Sequence, residues 1–247
     1  MLKKIIEKLG YQIQKKNKRY FPVEATNSEI DTLNFVKEYT MTSSQRIWSL
    51  ITATTYVIKN NIKGDFVECG VWRGGSSMAV ARTLLALNDR SRALHLYDTF
   101  SGMTEPTQFD VEATSGLQAD ALLNTTSKGD GNNIWCIASK EDVSMNMAKT
   151  GYPSEKVNYV VGDVSKTLQT PFPNEIALLR LDTDWYESTK IELEILFPRL
   201  VPGGICIIDD YGHWAGARRA VDEYFAKNNL SPWMHVIDET GRAFIKP

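Results

Sequence analysis

The stretch Gly203–Gly212, GGICIIDDYG, passes from a glycine turn through Ile205, Cys206, Ile207 and Ile208 into two adjacent aspartates. A continuous apolar run of this length fits a strand covered on both faces. Two carboxylates leaving such a strand repel each other unless solvent, hydrogen bonds or a cation compensates them. The pattern recurs along the chain. Glu68 follows DFV, Asp98 ends ALHLYD, Asp163 follows VNYVVG, and Asp182 and Asp184 follow IALLRL. If these strands are parallel, the acids line one crevice, because ligands of open α/β sheets bind outside the carboxyl ends of the strands.

The turn from Cys69-Gly70 to Gly74-Gly75-Ser76 lets backbone approach a ligand closely before a helix starts at Ser76. Its G-x-x-x-G-G spacing is not the G-x-G-x-x-G of dinucleotide folds, and it lacks the Lys-Ser/Thr of a P-loop. The first absence, with no obvious use for Asp209-Asp210, argues against a nicotinamide-dependent oxidoreductase. Glu68 beside the turn would repel a pyrophosphate and suits a ligand with a positive group, so Glu68, Gly70 and Ser76 read as cofactor contacts. Asp98 is placed to accept from a ribose diol, and Asp163 from an adenine amino group. A nucleoside joined to a cationic, amino-acid-like tail describes S-adenosylmethionine. Thr42, Ser43 and Arg46 precede or open a helix, where N–H groups or the guanidinium can hold the cofactor carboxylate. The alternative there is a helix cap beside a solvated arginine.

The elements that must position these residues follow from periodicity. Residues 27–60 read as helical, with a start signal at Asn27-Ser28 and a second stretch from Ser43 to Lys59. Strands alternate with helices from Ser76, through STKIELEILFPRL, and from Ala217 to Ala226. The tail WMHVIDETGRAFIKP carries a hairpin signal at Glu-Thr-Gly. This order predicts an α/β fold: a doubly wound, mostly parallel sheet with helices on both faces, an antiparallel C-terminal hairpin strand and N-terminal helices. Residues 1–247 read as one domain, with 1–60 a helical extension and 101–156 a lid or substrate insert, since so long a connection is usually functional.

Composition agrees. The 247 residues are 43% hydrophobic and 23% charged, enough for a sizeable core, and a net charge of -2 gives no case for nucleic-acid binding. Residues 1–20 carry seven Lys or Arg against one Glu, but lack the apolar core and cleavage site of a secretory signal. They read as a solvated amphipathic helix. No apolar run approaches the ~18 residues of a membrane span. Cys69, Cys136 and Cys206 form no C-x-x-C pair, which suits a reducing cytoplasm.

The segments FVECGVWRGGSS, LYDTFSGM, LLRLDTDWYESTKIELEILFPRLVPGG and IIDDYGHWAGARRAVDEYF resemble the macrocin/mycinamicin O-methyltransferase (TylF) family, from about Tyr39 to Phe225. The resemblance implies a Rossmann-like class I methyltransferase fold. It also implies a S-adenosylmethionine- and Mg²⁺-dependent enzyme acting on sugar hydroxyls of a small-molecule acceptor, notably an antibiotic glycoside. Asp182, Asp209 and Asp210 fall on the family's metal ligands, and ASKED at 138–142 matches its segment before the third strand, which puts Ser139 at the cofactor and Tyr152 near the acceptor. The first twenty residues and much of 101–135 lie outside the resemblance.

The residues alone support the same ion. Carboxylates ending neighbouring strands can converge, and oxygen-only ligation selects a hard cation such as Mg²⁺. Such an ion acidifies a hydroxyl, and a vicinal diol completes a chelate. Two bases remain open, Asp182 beside the oxygen and His213 on the same rim. Asp184 reads as a supporting acid. Trp185, Tyr186 and Trp214 read as a stacking surface for a sugar ring, with core packing the alternative; Arg180, Arg218 and Arg219 read as structural or rim charges. A metal-independent methyltransferase is the nearest rival, and the N-terminal helices suit exchange in a homo-oligomer.

Overall fold

In the computed structural model, residues 21–129, 133–169 and 173–247 are described, so the basic first twenty residues lie outside the described part. The helix α1 (Asn27–Val36) starts at the expected residue, with its cap one residue ahead of the Asn27-Ser28 signal. Thr26 caps it in a reciprocal box, its side chain accepting from Glu29 N while Glu29 accepts from Thr26 N at 2.8 Å. Ser43 caps α2 (Ser44–Lys59), which buries Ile47, Leu50, Ile51 and Val57.

The alternation then runs β1 (Asp65–Cys69), α3 (Gly75–Ala86) and β2 (Leu94–Asp98). The insert follows with α4 (Ala119–Thr125) and α5 (Lys140–Ala148). Next come β3 (Val157–Val161), α6 (Val164–Thr167), β4 (Ile176–Leu181), α7 (Tyr186–Ile195), β5 (Leu200–Ile208) and α8 (Ala215–Lys227). The expected hairpin closes the chain as β6 (His235–Val236) and β7 (Arg242–Ile245).

The sheet has the order β3-β2-β1-β4-β5-β7-β6, with β1 to β5 parallel and β7 antiparallel to β5. The direction of winding reverses between β1 and β4, and crevices in such sheets open there. α1, α2 and α3 close one face over Phe66, Leu94 and Leu178, while α7 and α8 close the other over Val67, Leu179 and Cys206. Among the described residues of 101–156, the only strand-like features before β3 are isolated bridges, Val111 with Gln118 and Glu112 with Trp214. The second of these ties the insert to the start of α8.

Gly70 marks the switch point. Its φ is +81°, and a Cβ there would sit 1.8 Å from the Asp182 carbonyl oxygen. No backbone atom can yield so far, so Gly70→Ala is expected to destabilise the protein by about 3 kcal/mol or more. Urea unfolding followed by circular dichroism measures it. Among the described residues no helix is long and apolar enough to cross a membrane, and all three cysteines are free.

Candidate active site

A cleft of about 590 Å³ opens over the carboxyl ends of β1, β2, β4 and β5, walled on one side by the insert through Met103, Glu112, Leu122 and Ile134. Its floor is acidic. Leu181 and Ile208 pair in register, so Asp182 and Asp209 leave their strands at the same level. One carboxylate oxygen each from Asp182, Asp209 and Asp210 lie within 4.8 Å of one another.

Arg180, two residues before Asp182 on the same side of β4, is buried beneath them. Its Nη1 donates to Glu68 Oε1 and Asp182 Oδ2, each at 2.7 Å, and its Nη2 to Asp209 Oδ1 at 2.7 Å. Arg46 reaches in from α2, pairing through Nη1 with Asp209 and through Nε with Asp238 Oδ2 at 3.1 Å. Thr42 Oγ1 donates to Asp209 Oδ2 at 3.2 Å. Arg180 and Arg46 were the least legible members of the site. An arginine inside the apolar run IALLRL was the available signal, since a buried guanidinium demands carboxylate partners. Arg46 is not a solvated charge: Asp209 and Asp238 hold its Nη1 and Nε while it still borders the cleft.

The titration of these acids reports their balance. Burial works against the ionised form of Asp209, but Arg180 and Arg46 outweigh it and hold that carboxyl below its ordinary range. Asp182 is pushed well up by burial, against Arg180, and by Asp209 and Asp210. Burial, Asp184 and Asp209 raise Asp210, and burial with Asp182 raises Asp184 to about 7. With these acids ionised, two guanidiniums would leave the cluster with excess negative charge. An all-oxygen donor set with unrelieved repulsion fits a hard divalent cation.

At the other end of the cleft Asp98 gathers the turn. Its Oδ2 accepts from Val71 N at 2.7 Å and Trp72 N at 3.1 Å, and Oδ1 from Phe100 N at 2.7 Å. An oxygen taking one backbone N–H retains a lone pair for a ligand hydroxyl. Asp163 accepts from Ser165 N at 2.8 Å, capping α6, and still borders the cleft, as do Gly70, Ser76 and Thr42.

Other expected residues lie elsewhere. Glu68 does not line the cleft: β1 continues through Cys69, and the Glu68 carboxyl turns beneath the floor to Arg180 and Ser77. Ser139 is exposed and caps α5, accepting from Asp142 N at 3.2 Å, a role its S-x-x-D spacing signalled. Tyr152 donates to Arg92 O at 2.7 Å, before β2 at the opposite edge of the sheet. Trp185 and Tyr186 are core rather than a sugar platform. Trp185 Nε1 donates to Thr104 O at 3.0 Å, and Tyr186 OH to Glu223 at 2.7 Å. Trp214 alone of the three aromatics borders the cleft, edge-on to Trp185 with centroids 4.9 Å apart. His213 stacks on Trp214 at the rim, 3.4 Å through Nε2 from Glu112 Oε1. Arg219 pairs with Glu223 at 2.6 Å on the surface of α8.

The profile of the macrocin-O-methyltransferase (TylF) family matches residues 2–246, well beyond the span from Tyr39 to Phe225 that the motifs carry. A tetracenomycin-C 4'-O-methyltransferase of Streptomyces olivaceus, acting on a dimethoxy-rhamnosyl derivative, is 34% identical over 82% of this chain and 74% of its own. The mycinamicin III 3''-O-methyltransferase of Micromonospora griseorubida is 30% identical over 82% of this chain and 76% of its own. Among solved structures, the O-methyltransferase NovP superposes with a TM-score of 0.76 at 27% identity, over 89% of this chain and 99% of that one.

Proposed function

The chain belongs to the macrocin-O-methyltransferase (TylF) family, and from that membership we propose that it transfers a methyl group from S-adenosylmethionine to a sugar hydroxyl, with Mg²⁺ at Asp182, Asp209 and Asp210. The observation that carries the reading is the convergence of those three carboxylates over Arg180 with charge that the protein does not balance.

The cofactor supplies an activated methyl group on its sulfonium, and a hard divalent ion supplies Lewis acidity toward a hydroxyl oxygen. The chain's own residues do the rest. Asp98, with Gly70 and Ser76, orients the cofactor by holding its ribose against the turn. Asp163 borders the adenine side. Asp182 takes the proton of the acceptor hydroxyl at Oδ1, since Oδ2 is engaged by Arg180. His213 is the second reading for the base, favoured by its position on the cleft rim; a larger loss of kcat in His213→Ala than in Asp182→Asn selects it. Trp214, Leu122 and Ile134 form an apolar wall that excludes water from the displacement, which needs alignment above all.

Charge also narrows the acceptor. The only cationic side chains bordering the cleft among the described residues, Arg46 and Arg180, are both committed to carboxylates. Among the described residues no cationic side chain bordering the cleft is left unpaired to meet a pyrophosphate, and like charges placed together cost several kcal/mol. A glycoside bearing a vicinal diol is therefore expected to react at least ~10²-fold faster in kcat/KM than the same sugar on a nucleoside diphosphate, a ratio of about 2.7 kcal/mol. Competition assays read by mass spectrometry measure the ratio.

Titration calorimetry tests the cofactor half. S-adenosylmethionine is expected to bind the wild-type chain and to bind Asp98→Ala at least ~10-fold more weakly, about 1.4 kcal/mol. Absence of binding to the wild type would remove the methyltransferase reading. Full turnover after exhaustive chelation would favour the metal-independent alternative.

A further inference from the structure

Glu192 sits on the inner face of α7, fully buried, and the site as described gives it no task. Its partners carry no charge. Thr183 Oγ1 lies 3.0 Å from Oε1 and 3.1 Å from Oε2, and the Cys69 thiol, at the end of β1, donates to it as well. Burial raises its carboxyl to about 8, against the hydrogen bonds from Thr183 and Cys69. Its contacts are hydrogen bonds from Thr183 and Cys69, with no cation against it among the described residues. A carboxyl buried without a cationic partner, where a leucine would pack more cheaply, calls for an explanation in what it holds.

What it holds is the residue between the two acids that follow β4. Thr183 is flanked by Asp182, on the cleft floor, and Asp184, whose φ is +66°. A left-handed aspartate persists only where its surroundings over-determine it. From the cleft side Asp184 N donates to Asp210 Oδ2 at 3.2 Å, and its Oδ1 accepts from Trp214 Nε1 at 2.7 Å. Along the chain, the Thr183 carbonyl accepts from Trp185 N at 2.7 Å and from Ser188 Oγ at 3.2 Å. From behind, the side-chain contact is Glu192. The alternation of the segment turns the Thr183 hydroxyl away from Arg180 and toward α7, opposite to the carboxylate of Asp182.

We propose that Glu192 is a positioning residue: its carboxyl clamps Thr183 from behind the sheet edge and so keeps Asp182 and Asp184 presented to the cleft. The proposal rests on the reading of Asp182 as a metal ligand, and it extends that reading to a residue that touches neither ligand nor cofactor. Groups that support metal ligands in this way typically contribute 10–100-fold to affinity.

The test uses the full chain in three single variants, Glu192→Leu, Thr183→Val and Glu192→Gln, and in the double variant Glu192→Leu/Thr183→Val, with thermal melting to establish that each is folded. Mg²⁺ affinity is measured by calorimetry on the cofactor-saturated protein, and amide exchange at Thr183, Asp184 and Trp185 is measured without metal. Glu192→Leu and Thr183→Val are each expected to weaken Mg²⁺ about 10–100-fold and to speed exchange in the turn. The double variant should be no weaker than either single one, since both remove one interaction. Glu192→Gln keeps an oxygen for the Thr183 hydroxyl and should stay within about threefold of wild type. Wild-type affinity and exchange in a folded Glu192→Leu, or a Gln variant as weak as the Leu variant, would overturn the clamp. If Glu192→Leu does not fold, Thr183→Val removes the same bond at constant shape and decides the matter. Wild-type protein that binds no Mg²⁺ would instead remove the metal reading, while exchange in the turn would still report on the clamp.

Discussion

Asp182→Asn is expected to lower kcat by about 10³-fold or more, to abolish Mg²⁺ binding, and to leave S-adenosylmethionine affinity within a few-fold of wild type. The substitution keeps the shape of the side chain but removes an anionic ligand and the proposed base together. Loss of a single group that stabilises developing charge costs about 10²–10³ in rate, and loss of a base adds to it. Asp98 and the turn after β1 lie on the other side of the switch point and keep their own hydrogen bonds, so cofactor binding should survive. Single-turnover assays with labelled cofactor give the rate, and calorimetry separates the two affinities. Undiminished turnover would show that neither role belongs to Asp182.

Arg180→Met should be the most destabilising substitution at the site. Arg180 is shared by Glu68, Asp182 and Asp209, and only Asp209 has a second guanidinium, from Arg46. Breaking a buried pair by removing one partner costs about 3–5 kcal/mol, because the remaining charges stay uncompensated. For a chain of this size each kcal/mol lowers Tm by roughly 2–4 °C, so a fall of about 10 °C is expected by calorimetry. The dependence on pH has a definite sign. Asp209 has a depressed carboxyl in the folded state, so its contribution is fully present above the unfolded aspartate value of about 3.9 and is lost as pH falls through the folded value. The deficit of Arg180→Met should therefore be full at neutral pH and shrink in acid, where the carboxyls take up protons. A deficit independent of pH would point to packing rather than charge as the role of Arg180.

These expectations separate what was legible in the chain from what was not. The strands ending at Asp98, Asp182 and Asp209 were readable because buried parallel strands are short apolar runs and acids cannot continue them. The convergence of Asp182, Asp209 and Asp210 followed from two such ends being adjacent. Glu68 misled, because an acid one residue before a strand's end looks like an acid at its end, and only the location of Arg180 shows which way it turns. Trp185 and Trp214 are alike in a one-dimensional pattern. Packing of the insert through the Thr104 carbonyl buries the first and leaves the second on the cleft.

The sequence by itself determined the alternating α/β order, the antiparallel hairpin at the end of the chain, the family, and the acids at the carboxyl edge of the sheet. Periodicity, turn chemistry and charge are local properties, and they survive in one dimension. Only the tertiary structure decided how that charge is shared. Arg46 from α2 meets Asp209 and Asp238, the second from the segment before β7, across separations of 163 and 192 residues along the chain. Thr183 and Glu192 face each other because α7 packs back over the ends of β1 and β4. Buried polar groups must find partners wherever the fold brings them, and no local pattern records which distant side chain will be there.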